Sequence, residues 1–495
     1  MENSKEETIK LQLLDSPSPH KTTENQATND ENVEHVKIES NAENAINNSE
    51  TLRSYNTVNT DEDDYDPHDH RDIKNKTSNV ATLIHLLKGS LGTGILAMPN
   101  AFGNSGLLVG VVATIIIGAL CTYCLHVFIK AQYKLCKQLK RGTLTYPETM
   151  QQALIQGPKC TEKLSKYAPV LIDGFLVLYQ LGICCVYIVF ITTNLKQVID
   201  LYCGEWELWK YTLSLSIAFV VINYIPNLKK LTPFSALANV LTFVGLILTL
   251  TYMVQDLPPI SDREMFGTLR NFALYFGTTL FALEAIGLII ALENKMKTPK
   301  DFLGYCGVLN IGMTVIVFLY ILIGFFGYIK YGSDAKGSVT FNLPSDEIMA
   351  QSVKILFAIA IFFTYALQAY VPIEILWDGY LKEKAEQWQV KETQKQTMKY
   401  LAEYGLRTSL VISTIILAVS IPRLGLFISL FGAFCLSALG ISFPGFIDIC
   451  VLWPNKDFGP FKYKLLKNIF LIVFGLVGLV VGTYVSIVDI VNSFK

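Results

Sequence analysis

Residues 85–99, His-Leu-Leu-Lys-Gly-Ser-Leu-Gly-Thr-Gly-Ile-Leu-Ala-Met-Pro, set a histidine, a lysine and three glycines inside the first stretch apolar enough to cross a bilayer. Each glycine costs about 1 kcal/mol against alanine in a helix, so Gly89, Gly92 and Gly94 together invite the helix to open. Opened backbone at membrane depth persists only where it is buried in protein or lines a cavity. A helix broken near the midplane beside an ionisable group is how many carriers build a solute site.

The ionisable groups suggest a coupling ion. His85 is one of two histidines beyond residue 79, and imidazole changes charge near physiological pH. One proton moving down about one pH unit and about 100 mV releases about 3.7 kcal/mol, enough to concentrate a neutral solute a few hundred-fold. Lys88, three residues on, shares nearly the same helix face and could also snorkel to the interface. Glu284 stands in a second apolar run, Phe276-Gly-Thr-Thr-Leu-Phe-Ala-Leu-Glu-Ala-Ile-Gly287. A central carboxylate costs about 2.5 kcal/mol or more to insert, so it must find a partner or take up a proton. His85 and Glu284 are therefore the candidate proton-coupling residues.

Half-helix ends also suit a particular solute. Free N–H groups at a helix N-terminus attract a carboxylate, and free carbonyls at a C-terminus attract an ammonium. A zwitterionic amino acid satisfies both. The candidate solute site comprises Gly89, Ser90, Gly92, Thr93 and Gly94 from the first run, Tyr187, Phe281, Gly287 and Thr364. Gln180 and Tyr187 fall on one face of the third run, and Thr364, Tyr365 and Gln368 cluster on the eighth, where interhelical hydrogen bonding is the simpler reading. Pro99, Pro233, Pro372 and Pro444 read as kinks or helix ends, and His126 as an interfacial residue.

These segments need a membrane scaffold to position them. The chain has 495 residues, of which 51% are hydrophobic and only 17% charged, a membrane-like balance. Apolar runs lie near 80–102, 107–129, 169–192, 209–225, 232–254, 271–291, 303–329, 352–376, 405–421, 424–452 and 466–490, giving eleven expected spans. With a cytosolic N-terminus the inside loops hold roughly 23 Lys/Arg against about 8 outside, which orients the chain and leaves its C-terminal end exoplasmic or lumenal. Five spans separate the two interrupted runs, so equivalent helices point in opposite directions, as in an inverted repeat. The expected organisation is an all-α membrane protein: a tail 1–79, a first repeat 80–254, a second repeat 255–452, and an eleventh span with a short end, 453–495.

Residues 1–79 carry 18 Asp/Glu against 8 Lys/Arg with few aromatics, and read as a disordered acidic tail. No secretory signal pattern begins the chain. The sequons Asn47-Asn-Ser and Asn75-Lys-Thr fall on this cytosolic tail and are not expected to carry glycan. The remaining basic residues are scattered through short loops, not clustered as a nucleic-acid binder needs. No phosphate-cradling G-x-x-x-x-G-K-[ST] pattern occurs, which argues against an ATP-driven pump. The ten cysteines show neither zinc spacing nor a disulfide framework, and Cys121 and Cys124 read as packing residues. No enzyme chemistry and no cofactor is expected, the coupling ion being the proton.

The motifs His85-Leu-Leu-Lys-Gly-Ser-Leu-Gly-Thr-Gly, Gln180-Leu-Gly-Ile-Cys-Cys-Val-Tyr187, Phe276-Gly-Thr with Glu284-Ala-Ile-Gly and Leu292-Glu-Asn, Asn342-Leu-Pro, and Phe362-Phe-Thr-Tyr-Ala-Leu-Gln-Ala-Tyr-Val-Pro372 resemble the amino acid/auxin permease family, in its animal branch of proton-coupled amino acid transporters. The resemblance spans the membrane region. It implies eleven spans with a five-plus-five, LeuT-like inverted-repeat core, discontinuous first and sixth helices, and movement of small neutral amino acids such as glycine, alanine and proline. It implies too that His85 takes part in proton coupling, at the plasma membrane or a lysosomal or late endosomal membrane. Mammalian members resemble one another in a disulfide between the loop after the third span and the loop before the eighth. Cys203 stands in the first of these loops, but residues 342–346 offer no partner. Tyr55-Asn-Thr-Val58 fits a sorting signal for adaptors. A proton-independent facilitator and an amino-acid sensor feeding growth-signalling proteins through the tail are the alternative readings.

Overall fold

The computed structural model describes residues 65–71, 76–225, 228–283, 286–387, 392–421 and 423–494. Most of the expected tail, with both sequons' asparagines and the Tyr55 motif, lies outside the described residues, as do Glu284 and Ala285.

Among the described residues the regular structure is helical apart from one isolated bridge between Thr77 and Met296. The first apolar run forms α1, Asn79–Ser90, and α2, Thr93–Ser105, which meet at 55°. Ser78 caps α1 by accepting from the Ala81 amide. Then follow α3 (Leu107–Leu139), α4 (Tyr146–Gln156), α5 (Ala168–Cys203), α6 (Leu208–Asn223), α7 (Leu228–Val254), α8 (Leu269–Leu283) and α9 (Ile286–Asn294). The second half has α10 (Val308–Tyr331), α11 (Ile348–Leu376), α12 (Glu392–Ser420), α13 (Leu424–Phe431), α14 (Phe443–Leu452) and α15 (Tyr463–Asn492). A buried π-helical stretch, Gly432–Ser442, joins α13 to α14.

Among the described residues nine helical runs are long and apolar enough to cross a membrane, and the bent α1–α2 pair makes a tenth. The expected fourth span is α6, with only 16 residues. The expected interruption of the sixth span lies in the run 276–287, whose Glu284 and Ala285 are outside the described residues. The innermost helices carry small or apolar residues on nearly every side: α2 from Thr93 to Pro99 is buried, as is α8 from Ala273 to Leu283. α2 packs on both α8 and α10, while α11 lies along α5 and α7. Helices that approach through glycine and alanine gain dispersion contact where lipid offers no hydrophobic drive.

Residues 65–71, assigned to the tail by composition, are packed on the helical body. Arg71 is buried against Glu293 at the end of α9, and His68 stacks on Tyr133 of α3 at 4.8 Å. Burial, reinforced by the Arg71 charge, holds the His68 imidazole below its ordinary pKa. Composition missed this because the anchoring comes from a few specific contacts, not from apolar content.

Candidate functional site

The break between α1 and α2 starts from glycine spacing and ends in open backbone. Leu91 leaves the helix with ψ 72°, Gly92 is extended, and α2 begins at Thr93 with no side chain capping its first N–H groups. At the end of α1, the Ser90 hydroxyl turns back to the Leu86 carbonyl at 3.0 Å. The Ser90 carbonyl accepts from the Gly92 amide at 3.1 Å and from the phenol of Tyr320 on α10. The same phenol lies 2.7 Å from the carbonyl of Ala282 on α8. Tyr320 is fully buried, so its one proton is shared between the Ser90 carbonyl, at the C-terminal end of α1, and the Ala282 carbonyl of α8.

The two runs also touch directly. A Cβ on Gly94 would stand 2.7 Å from the Ala282 Cα, so only glycine lets α2 lie this close to α8. Gly92 faces Tyr187 of α5, whose hydroxyl would be 3.7 Å from a Cβ there. Tyr187 is buried and hydrogen-bonds Gln368 of α11, and Gln368 in turn accepts from Gln180. Phe281 is buried in α8 with its ring edge-to-face on Tyr179 at 6.0 Å. The arrangement offers uncapped N–H groups at the start of α2, carbonyls at Ser90 and Ala282, and an aromatic wall.

Of the residues expected to meet, Ser90, Gly92, Thr93, Gly94, Tyr187 and Phe281 belong to this cluster. Others stand apart. His85 lies on the exposed side of α1, and no hydrogen bond among the described residues involves it. Gly89, also exposed, points toward Leu288, and Gly287 has nothing within 4 Å of where its Cβ would be. Thr364 spends its hydroxyl on the Ala360 carbonyl of its own helix at 2.8 Å. Glu284, expected to bridge the breaks, lies outside the described residues. Tyr320 was missed, although a lone phenol within the run Val315–Phe326 signals a buried acceptor nearby. Cys203 is a free, exposed thiol. No group of His, Cys, Asp and Glu that could hold a metal occurs among the described residues.

The family profile described as transmembrane amino acid transporter protein matches residues 75–488. The proton-coupled amino acid transporter-like protein pathetic of Drosophila melanogaster is 41% identical over 85% of this chain and 86% of its own length. The probable amino acid transporter skat-1 of Caenorhabditis elegans is 25% identical over 83% of this chain and 90% of its own. Among solved structures, the inward-facing conformation of Mhp1 aligns with a TM-score of 0.46 at 13% identity, covering 81% of this chain and 91% of that one.

Proposed function

Because this multi-pass membrane chain belongs to the transmembrane amino acid transporter family, we propose that it carries a small neutral amino acid, of the glycine, alanine or proline type, together with a proton toward the cytosol. The solute's carboxylate meets the uncapped N-terminus of α2, and its ammonium meets the Ser90 carbonyl at the end of α1, beside the Ala282 carbonyl of α8. Eleven spans in a five-plus-five inverted repeat, with the N-terminus cytosolic, supply the two halves that rock about this point in alternating access. The observation that carries this reading is the convergence of Ser90, Gly94, Ala282 and Tyr320 at the break. The proton-coupled relative supports the choice of coupling ion.

His85 takes the coupling proton in this reading, from an exposed position one turn before the break. His85→Ala is expected to insert normally and to lose the pH dependence of amino-acid uptake in proteoliposomes. Proton-linked uptake that is unchanged in this variant would remove His85 from the mechanism.

A further inference from the structure

Residues 65–71 lie where the beginning of α1 meets the end of α9, and the contacts there form a clasp. The Arg71 guanidinium donates from Nη2 to both Glu293 carboxylate oxygens at 3.0 and 3.1 Å, from Nη1 to the Glu293 carbonyl at 3.1 Å, and from Nε to the Gly142 carbonyl at 3.2 Å. Both side chains are buried, leaving a gap of about 10 Å³ between α3, residue 143 and α9. Asp66 pairs with Lys300 at 2.8 Å and accepts from the Tyr133 hydroxyl at 3.3 Å. A second row of bonds follows. Thr77 exchanges backbone bonds with Lys295 and Lys297, at 2.8 and 2.9 Å, and Asn79 donates to Asp301 and accepts from Thr298.

Apart from the Gly142 and Tyr133 contacts, which tie residues 65–71 to α3 and the loop after it, these contacts bridge the segment leading into α1 and the segment leaving α9. The two helix halves cannot separate on this face while the clasp is closed. A buried arginine–carboxylate pair joined through one guanidinium nitrogen to both carboxylate oxygens is geometrically specific, and separating it leaves both charges without a partner.

We propose that residues 65–71 are a latch of the transport cycle, with Arg71 and Glu293 as positioning residues whose pairing closes the break to the N-terminal face and whose separation opens it. The latch rests on alternating access but not on the identity of the solute or of the coupling ion.

The test uses the full chain in liposomes with Cys160, Cys203 and Cys306 replaced by serine and a reporter at Ser90→Cys, labelled by a membrane-impermeant maleimide from the N-terminal face. Arg71→Ala is expected to speed labelling about tenfold or more by shifting the population toward the open state. An unchanged rate in protein that elutes as a single species would overturn the latch. In a second arm without the reporter, Arg71→Cys/Glu293→Cys is joined by a reducible bifunctional thiol reagent. Amino-acid uptake is expected to stop on linking and return on reduction, whereas uptake that continues while linked contradicts the proposal. Labelling does not depend on which solute moves, so faster labelling without any amino-acid flux would keep the latch and reject the transport reading.

Discussion

Gly94→Ala is expected to lower amino-acid uptake by about one to two orders of magnitude while the protein still inserts and remains monodisperse. The added Cβ meets the Ala282 Cα at 2.7 Å, a backbone atom that cannot rotate away. Overpacking of this kind costs about 1–3 kcal/mol, and here it is spent forcing α2 from α8 at the point where the solute must be gripped. Gly103→Ala, in the same helix, is the matched control. Its Cβ would find only ordinary contacts, 3.7 Å or more from Gly332 and Tyr328, so uptake should stay close to that of the parent protein. Uptake and detergent melting temperature measured side by side for the two variants separate a local wedge from general loss of fold.

Tyr320→Phe is expected to cut uptake by at least about tenfold and to lower thermal stability. The ring volume is unchanged, so packing is preserved and only the hydroxyl is lost. Two buried carbonyls, on Ser90 and Ala282, then lack the donor they share. Losing a buried hydrogen bond costs about 0.5–1.5 kcal/mol, and the Ser90 carbonyl keeps only the Gly92 amide among the described residues. Either the break closes to satisfy its own carbonyls or water enters, and in both cases the solute meets a different surface. Equal uptake in Tyr320→Phe and the parent protein, at equal surface amounts, would show that the phenol does not hold the break.

The scaffold was legible because span-length apolar runs can be read one at a time, and nine helical runs and the bent α1–α2 pair of span length stand among the described residues. The break at Gly89–Gly94 was legible for a related reason: clustered glycines weaken a helix wherever they occur. What could not be read locally were the partners that non-neighbouring helices supply. Tyr320 is 230 residues from Ser90, and nothing in its own run says which carbonyls it will meet. Arg71 sits in a stretch whose composition reads as a solvated tail, yet its partner Glu293 is 222 residues away. The residues that stand apart from the cluster have the same origin. His85, Gly89 and Gly287 were grouped with the site by nearness in sequence, but helical rotation sets them on exposed faces. Thr364 looked available until its hydroxyl was found bonded within its own helix.

The most direct measurement is accumulation and competition in proteoliposomes holding the purified chain under an imposed pH gradient, with alanine, alanine methyl ester, N-acetylalanine and propionate. If the uncapped amides of α2 and the carbonyls of Ser90 and Ala282 together hold a zwitterion, alanine alone is concentrated, the three analogues that lack one charged end neither accumulate nor compete, and collapse of the gradient releases the alanine. Accumulation of any one-ended analogue to the same level as alanine, or no concentration of alanine under the gradient, would contradict that grip.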